Sequence, residues 1–205
     1  MYIDRERILG FKLTWYSKFS DDLDKIESLI WDNLYQGKNN KKSDFHTPTL
    51  VTKRNEINPR TLILRDVNKN DLLITFFTDQ RTNKKKDIDN NNTSSIHVYD
   101  KKKKIQVCFY GKANISQNNI ISQQYWKKIS NLSKLNYASK KNPGSKILSP
   151  SNVDFFKNED KAYGNFAVIN VKVYKILWLF LSKQGNRKAQ FEYSKNKLKS
   201  LWLTP

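Results

Sequence analysis

The chain predicts an antiparallel β-barrel with helical cover. Short strand-like segments follow one another in hairpin order, with turn residues between them. Only a few stretches carry helical periodicity, and they are inserted between the strands rather than alternating with them. No internal repeat and no shift in composition divides the 205 residues, so residues 1–205 are expected to form a single domain.

Residues 20–37 read as the first helix. Ser20 is placed to cap it, Asp21 and Asp22 to complement its dipole, and Gly37 to end it. Leu23, Ile26, Ile30 and Leu34 recur at three- and four-residue spacing and form its inward stripe. Residues 38–44 are a polar linker. Residues 47–53, 60–67 and 72–78 read as successive strands, the last two joined by the turn at 68–71. Residues 82–90 suit a short helix capped by Thr82, with Ile88 facing in. Strands follow at 96–99 and 105–115, separated by the lysine turn 101–104. Residues 118–132 predict a second long helix with Ile121, Tyr125, Ile129 and Leu132 on one face. A Ser/Pro/Gly/Lys loop at 137–150 and a partly helical stretch at 152–163 complete this insertion. Strand signals return at 166–174, 176–181, 187–193 and 201–203. The barrel core is therefore expected at 45–115 and 165–205, with a helical insertion at 118–163.

Composition narrows the function classes. Hydrophobic residues make up 38% and aromatics 13%, too many for a disordered chain. No apolar run approaches the roughly 20 residues that span a bilayer. Residues 1–7 mix charges ahead of any hydrophobic run, against a secretory signal. The expectation is a soluble cytoplasmic protein without a membrane partner. The net charge of +19 invites a nucleic-acid reading. Lysine supplies 31 of the 38 basic residues, however, and arginine, the better bidentate phosphate and base reader, only 7. Abundant Asn and Ile share A/T-rich codons with Lys, so a solvated lysine surface is the expectation and a nucleic-acid-binding barrel the lesser alternative. Cys108 lies mid-strand and reads as a small buried hydrophobe. His46 and His97 have no carboxylate at a metal-ligand spacing and read as structural. Trp178, in an apolar strand, reads as core packing or a seam between copies.

Chemistry concentrates between residues 59 and 113. A strand ending in Thr78 passes through Arg81, Thr82, Asn83 and Lys84 into a helix, which offers hydroxyls, cations and unpaired N–H groups to an anion. Arg60, on a neighbouring strand, is suited to a two-pronged contact with the same phosphate. On these local features alone, Thr82 as a mere cap and the lysines as a solvated face remain an equal alternative.

The order, spacing and residue types of Arg60-Thr61-Leu62-Ile63, Phe77-Thr78, Thr82-x-Lys84, Gln106 and Gly111-Lys112-Ala113 resemble the flavin-binding split barrels of the pyridoxamine 5'-phosphate oxidase family. Trp126 with Pro143-Gly144 is similar to a cyanobacterial-type subfamily, and the ending Trp202-Leu203-Thr204-Pro205 to the family's Leu-x-Pro terminus. The resemblance implies a six-stranded FMN-binding split barrel with peripheral helices, and a homodimer whose seam holds FMN. It implies FMN contacts from Arg60, Thr61, Leu62, Ile63, Phe77, Thr78, Arg81, Thr82, Lys84, Gln106 and Arg187. Substrate contacts are implied for Arg65 and Tyr125, with pyridoxamine or pyridoxine phosphate as the family's substrate, and no side-chain acid or base. An exposed apolar seam over residues 178–181 is the expected reason for dimerisation.

The chain also departs from the family pattern. Asn83 stands where the better-known oxidases have an arginine, Gln190 where another arginine is usual, and Ile129 where a substrate arginine is expected. The segment before Phe191 keeps Arg187 but has no histidine. Two functions follow from the resemblance: an FMN-dependent oxidoreductase passing a hydride from substrate to flavin, and a flavin-binding protein without turnover.

Overall fold

The computed structural model describes residues 21–205, apart from 157 and 196. The predicted cap at Ser20 lies outside the described residues. α1 (Leu23–Asn39) is capped by Asp22, whose side chain accepts from the Lys25 N–H. Ile26, Ile30 and Leu34 are fully buried as expected, and Trp31 joins them. The helix runs through Gly37 rather than ending there. A Cβ at Gly37 would lie 2.7 Å from Phe45 backbone and side-chain atoms, so the glycine is needed for close approach rather than for termination.

The strands are β1 (Thr49–Lys53), β2 (Ile57–Thr61), β3 (Leu64–Asn68), β4 (Leu73–Asp79), β5 (Thr93–Asp100), β6 (Ile105–Ser116), β7 (Phe166–Phe180), β8 (Arg187–Ser194) and β9 (Lys197–Leu203). They form one antiparallel sheet ordered β2-β1-β5-β6-β7-β4-β3, with β8 and β9 added beside β7. The sheet stays open, as a split barrel requires. Among the described residues it counts nine strands where six are expected, because β2 and the β8–β9 hairpin add to it.

Three boundaries differ from expectation for identifiable reasons. The strand predicted over 60–67 is broken at Leu62 and Ile63, where the Leu62 N–H turns to the Pro48 carbonyl. The two strands predicted over 166–181 are one strand, β7. Its register against β6 slips between Tyr110 and Gly111, and the resulting bulge near Tyr174 interrupts the alternation that otherwise marks a strand. A Cβ at Gly111 would fall 2.5 Å from Val171, so only glycine fits that crossing. The long helix predicted over 118–132 stops early. α3 (Ile120–Lys128) is followed by Ile129 in extended backbone and by the short α4 (Asn131–Lys134). Its buried residues are Ser122 and Trp126, while Ile121 and Leu132 are exposed.

Burial divides into two clusters. The barrel core joins α1 to Phe76, Phe109, Trp178 and Phe191. A smaller aromatic cluster of Trp126, Tyr137, Phe166 and Phe77 packs α3 and α5 (Glu159–Asn165) against the outside of the sheet. Trp178 is fully buried and stacks on Phe180 at 6.1 Å, so these two residues of the expected seam point inward, while Leu179 and Leu181 are half-exposed. Leu177 and Leu179 are the half-exposed leucines of β7. Cys108 is also half-exposed, on the outer face of β6, instead of buried; partial burial pushes its thiol up, which weakens it as a nucleophile. His46 is structural, its Nδ1 2.7 Å from the Gly37 carbonyl. Among the described residues no helix is long and apolar enough to cross a membrane.

Candidate cofactor and substrate site

β4 delivers Thr78 to the end of the sheet, a tight turn follows, and α2 (Asn83–Asn90) begins at Thr82. Thr82 occupies the capping position, yet its side chain makes no cap hydrogen bond. Its hydroxyl donates instead to the Asp79 carbonyl at 2.7 Å. The start of α2 is therefore left without a side-chain partner, in the orientation that favours an anion.

The Lys84 Nζ folds back over this turn, 2.8 Å from Thr78 Oγ1 and 3.2 Å from Thr82 Oγ1. Both partners are neutral hydroxyls. Burial pushes the Lys84 amine below its ordinary value, and the positive charge of Arg60 pushes it further, against the opposing pull of Asp79 and Asp87. Arg60 is held by residues that the sequence did not single out. Its Nη1 donates to Thr52 Oγ1 at 2.7 Å and its Nη2 lies 3.3 Å from the buried Asp87 carboxylate, to which Thr52 also donates. The signal was present in α2, where Lys84, Asp87 and Ile88 share the inward stripe and an acid there demands a cationic partner.

Arg81 lies differently. Its Nε and Nη2 grip the Asp79 carboxylate at 3.0 and 2.6 Å, and its Nη1 reaches the Lys140 carbonyl. Thr61 and Ile63 are exposed beside Arg60, with Leu62 half-buried between them. Gln106 and Arg187 are not part of this group. Thr78 stands opposite Ala167 and Gln106 opposite Leu179, near the two ends of β7. Arg187, opposite Phe180, donates to Asp21 and to the Gly185 carbonyl.

Arg65 and Tyr125 come together around Phe77. The Arg65 guanidinium lies 5.3 Å over the Phe77 ring, and the Tyr125 ring meets the same ring edge-on at 5.2 Å. The Tyr125 hydroxyl donates to Asp66 Oδ2 at 2.8 Å. Burial, then the Asp66 hydrogen bond and charge, push that phenol up to about 12.

Residues 24–117 match the sequence model of a family described as pyridoxamine 5'-phosphate oxidase, FMN-binding domain. The matched segment, a little under half of the chain, is similar to that oxidase-like, FMN-binding domain. It contains Arg60, Thr78, Thr82, Lys84 and Gln106, and FMN is its cofactor. Among solved structures, the chain is similar to a pyridoxamine 5'-phosphate oxidase-related, FMN-binding protein from Nostoc punctiforme, with a TM-score of 0.73 at 16% identity, over 87% of this chain and 96% of that one. It is also similar to PhzG from Burkholderia lata in complex with tetrahydrophenazine-1-carboxylic acid, with a TM-score of 0.70 at 14% identity, over 91% and 96%. No curated protein matches. The residues present fit the oxidase-like domain's cofactor. A half-buried ammonium that among the described residues is met only by hydroxyls, a neighbouring guanidinium and an uncapped helix start are the donor set that a phosphate dianion satisfies.

Proposed function

We propose that this protein is an FMN-dependent oxidoreductase acting on a small flat substrate as a homodimer. The observation that carries the reading is the Lys84 ammonium, held beside a second cation with, among the described residues, no carboxylate in contact. Bound there, FMN supplies the acceptor for a hydride leaving a substrate carbon, with dioxygen as a reoxidant. The protein's part is placement. Lys84, Thr78, Thr82 and the start of α2 hold the phosphate, and Thr52 and Asp87 aim Arg60 at it. The strand end at Thr61, Leu62 and Ile63 lines the approach, Phe77 backs it, and Arg81 stiffens the turn through Asp79. Arg65 and Tyr125 hold the far end of the substrate. No side-chain acid or base is assigned.

The separation of Gln106 and Arg187 from the phosphate group supports a site shared by two copies. A second copy brings its own Gln106 and Arg187 to the flavin of the first. Leu177 and Leu179, half-exposed beside Gln106, Cys108 and Tyr110 on one sheet face, are the apolar side chains such a seam covers.

The test is a visible spectrum of the protein as purified, identification of whatever denaturation releases, and then addition of reduced nicotinamides or pyridoxamine 5'-phosphate in air. Released FMN, a dimer by light scattering and bleaching or peroxide formation support the reading. A colourless protein that takes up no added FMN sinks it. FMN without turnover leaves the flavin-binding alternative, which one observation favours: Gln190, where the enzymes have an arginine, spends its amide on Glu192 at 2.9 Å.

A further inference from the structure

The register of β3 against β4 slips between Leu64 and Asp66, so Arg65 is the extra residue of a bulge. The bulge leaves Arg65 and Asp66 both half-buried instead of on alternate faces. Their surroundings are unequal. The Asp66 carboxylate is met by Lys38 Nζ at 2.7 Å, by the Tyr125 hydroxyl at 2.8 Å and by the Val67 N–H at 2.9 Å. Partial burial works against its ionisation, but the Lys38 and Tyr125 hydrogen bonds prevail and hold the carboxyl below its ordinary value. Lys38 is thus spent on Asp66, and Lys134, on the far side of the aromatic cluster, on Glu159. Arg65 has the Phe77 ring beneath it and, among the described residues, no carboxylate partner. The ring beneath it and the Tyr125 ring that meets that ring edge-on are both aromatic.

Among the described residues, this arrangement has one cation without a carboxylate partner, a flat aromatic wall, and the negative charge of Asp66 fixed on the hydroxyl that would otherwise be free to donate. A phosphate ester carries close to two charges at neutral pH and needs several donors. A carboxylate carries one and is matched by a single guanidinium in a two-pronged pair. We propose that the Arg65 end of the site selects substrates bearing one carboxylate beside a flat ring and rejects phosphate esters, because Asp66 occupies the Tyr125 hydroxyl and repels a dianion. Arg65 and Asp66 are then specificity-determining residues of opposite sign. The proposal rests on the flavin-site reading only in treating this ligand as a substrate.

The experiment is isothermal titration of cofactor-free and FMN-loaded protein with two probes, 1-naphthoate and pyridoxine 5'-phosphate, the latter chosen because it has no aldehyde to react with lysines. The wild type is expected to bind 1-naphthoate at least about tenfold more tightly than pyridoxine 5'-phosphate. Arg65→Gln is expected to weaken 1-naphthoate by about tenfold or more, and Asp66→Asn to strengthen pyridoxine 5'-phosphate by about tenfold. Equal or tighter binding of the phosphate by the wild type overturns the proposal, as does unchanged 1-naphthoate binding in Arg65→Gln. If Asp66→Asn does not fold, the wild-type preference and Arg65→Gln still decide. A protein that takes up no FMN defeats the proposed function while the cofactor-free titration still measures the preference. FMN uptake with the phosphate preferred defeats this inference alone.

Discussion

Replacing Lys84 with Met keeps most of the side-chain volume and removes the charge. If Lys84 serves the phosphate, the substitution has opposite consequences for cofactor and fold. A hydrogen bond to a charged group contributes about 1.5–3 kcal/mol, so FMN affinity should fall by about 10- to 150-fold. The cofactor-free protein should not suffer. Thr78 Oγ1 still has the Asp79 carbonyl at 3.3 Å, and Thr82 Oγ1 the same carbonyl at 2.7 Å, so neither hydroxyl is orphaned. Arg60 loses the repulsion that now depresses the Lys84 amine, so the apo melting temperature should hold or rise. Quenching of flavin fluorescence gives the affinity, and a thermal melt of cofactor-free protein gives the stability. Unchanged FMN affinity refutes the reasoning. So does an apo melting temperature that drops along with affinity, since Lys84 would then be a prop of the turn rather than a ligand group.

The pH dependence follows from the same amine. Its value in the folded apo protein lies below the ordinary 10.5, so between the two the unfolded chain holds more protons and apo stability rises with pH. Phosphate binding draws the amine back up, so FMN binding should take up protons in that alkaline window, and its advantage over riboflavin should shrink as pH climbs. Titration in two buffers of different ionisation enthalpy checks this; an FMN-to-riboflavin ratio independent of pH would count against it. A structural prediction concerns the chain in which Trp31 Nε1 donates to Tyr193 Oη at 2.9 Å, Tyr193 donates to the buried Glu27 at 2.7 Å, and Lys69 closes on Glu27 at 2.8 Å. Tyr193→Phe leaves the indole N–H without its acceptor and should cost about 1–3 kcal/mol, read as a lowered urea midpoint with the slope unchanged. An unchanged midpoint would mean that water replaces the phenol.

Much of the fold was legible because local signals agreed with tertiary ones. The Ile26, Ile30 and Leu34 stripe and the turn at 68–71 were read correctly, since each follows from neighbours within a few residues. The errors came where distant residues decided. Gly37 looked like a helix stop, but Phe45 makes it a contact; β7 looked like two strands, because its bulge is set by the crossing at Gly111. Site residues divided the same way. Thr78, Thr82 and Lys84 are close in sequence and meet in space. Thr52, Asp87 and Asp66 carry no motif, and their roles come from strand register and helix packing, which spacing alone does not encode.

Asp66 is where fold and specificity meet. Its carboxylate ties α1 through Lys38 and α3 through Tyr125 to β3. The side chains of Lys38 and Asp66 are 36% and 32% exposed, so solvent screening leaves that ion pair a stabilisation of about 1 kcal/mol or less. The Val67 N–H bond to Oδ1 needs only an oxygen acceptor, which an asparagine would supply, and the Tyr125 hydroxyl at Oδ2 would reverse and accept from the asparagine's amide N–H. Structural need therefore accounts for an acceptor at this position but only weakly for a charge. The charge has its larger effect on an incoming ligand, which meets it beside Arg65 in a half-buried, aromatic-walled setting where screening is weaker than at the surface. A carboxylate of the substrate can pair with Arg65 while keeping its distance from Asp66. A phosphate, with negative oxygens on three sides, cannot turn all of them away.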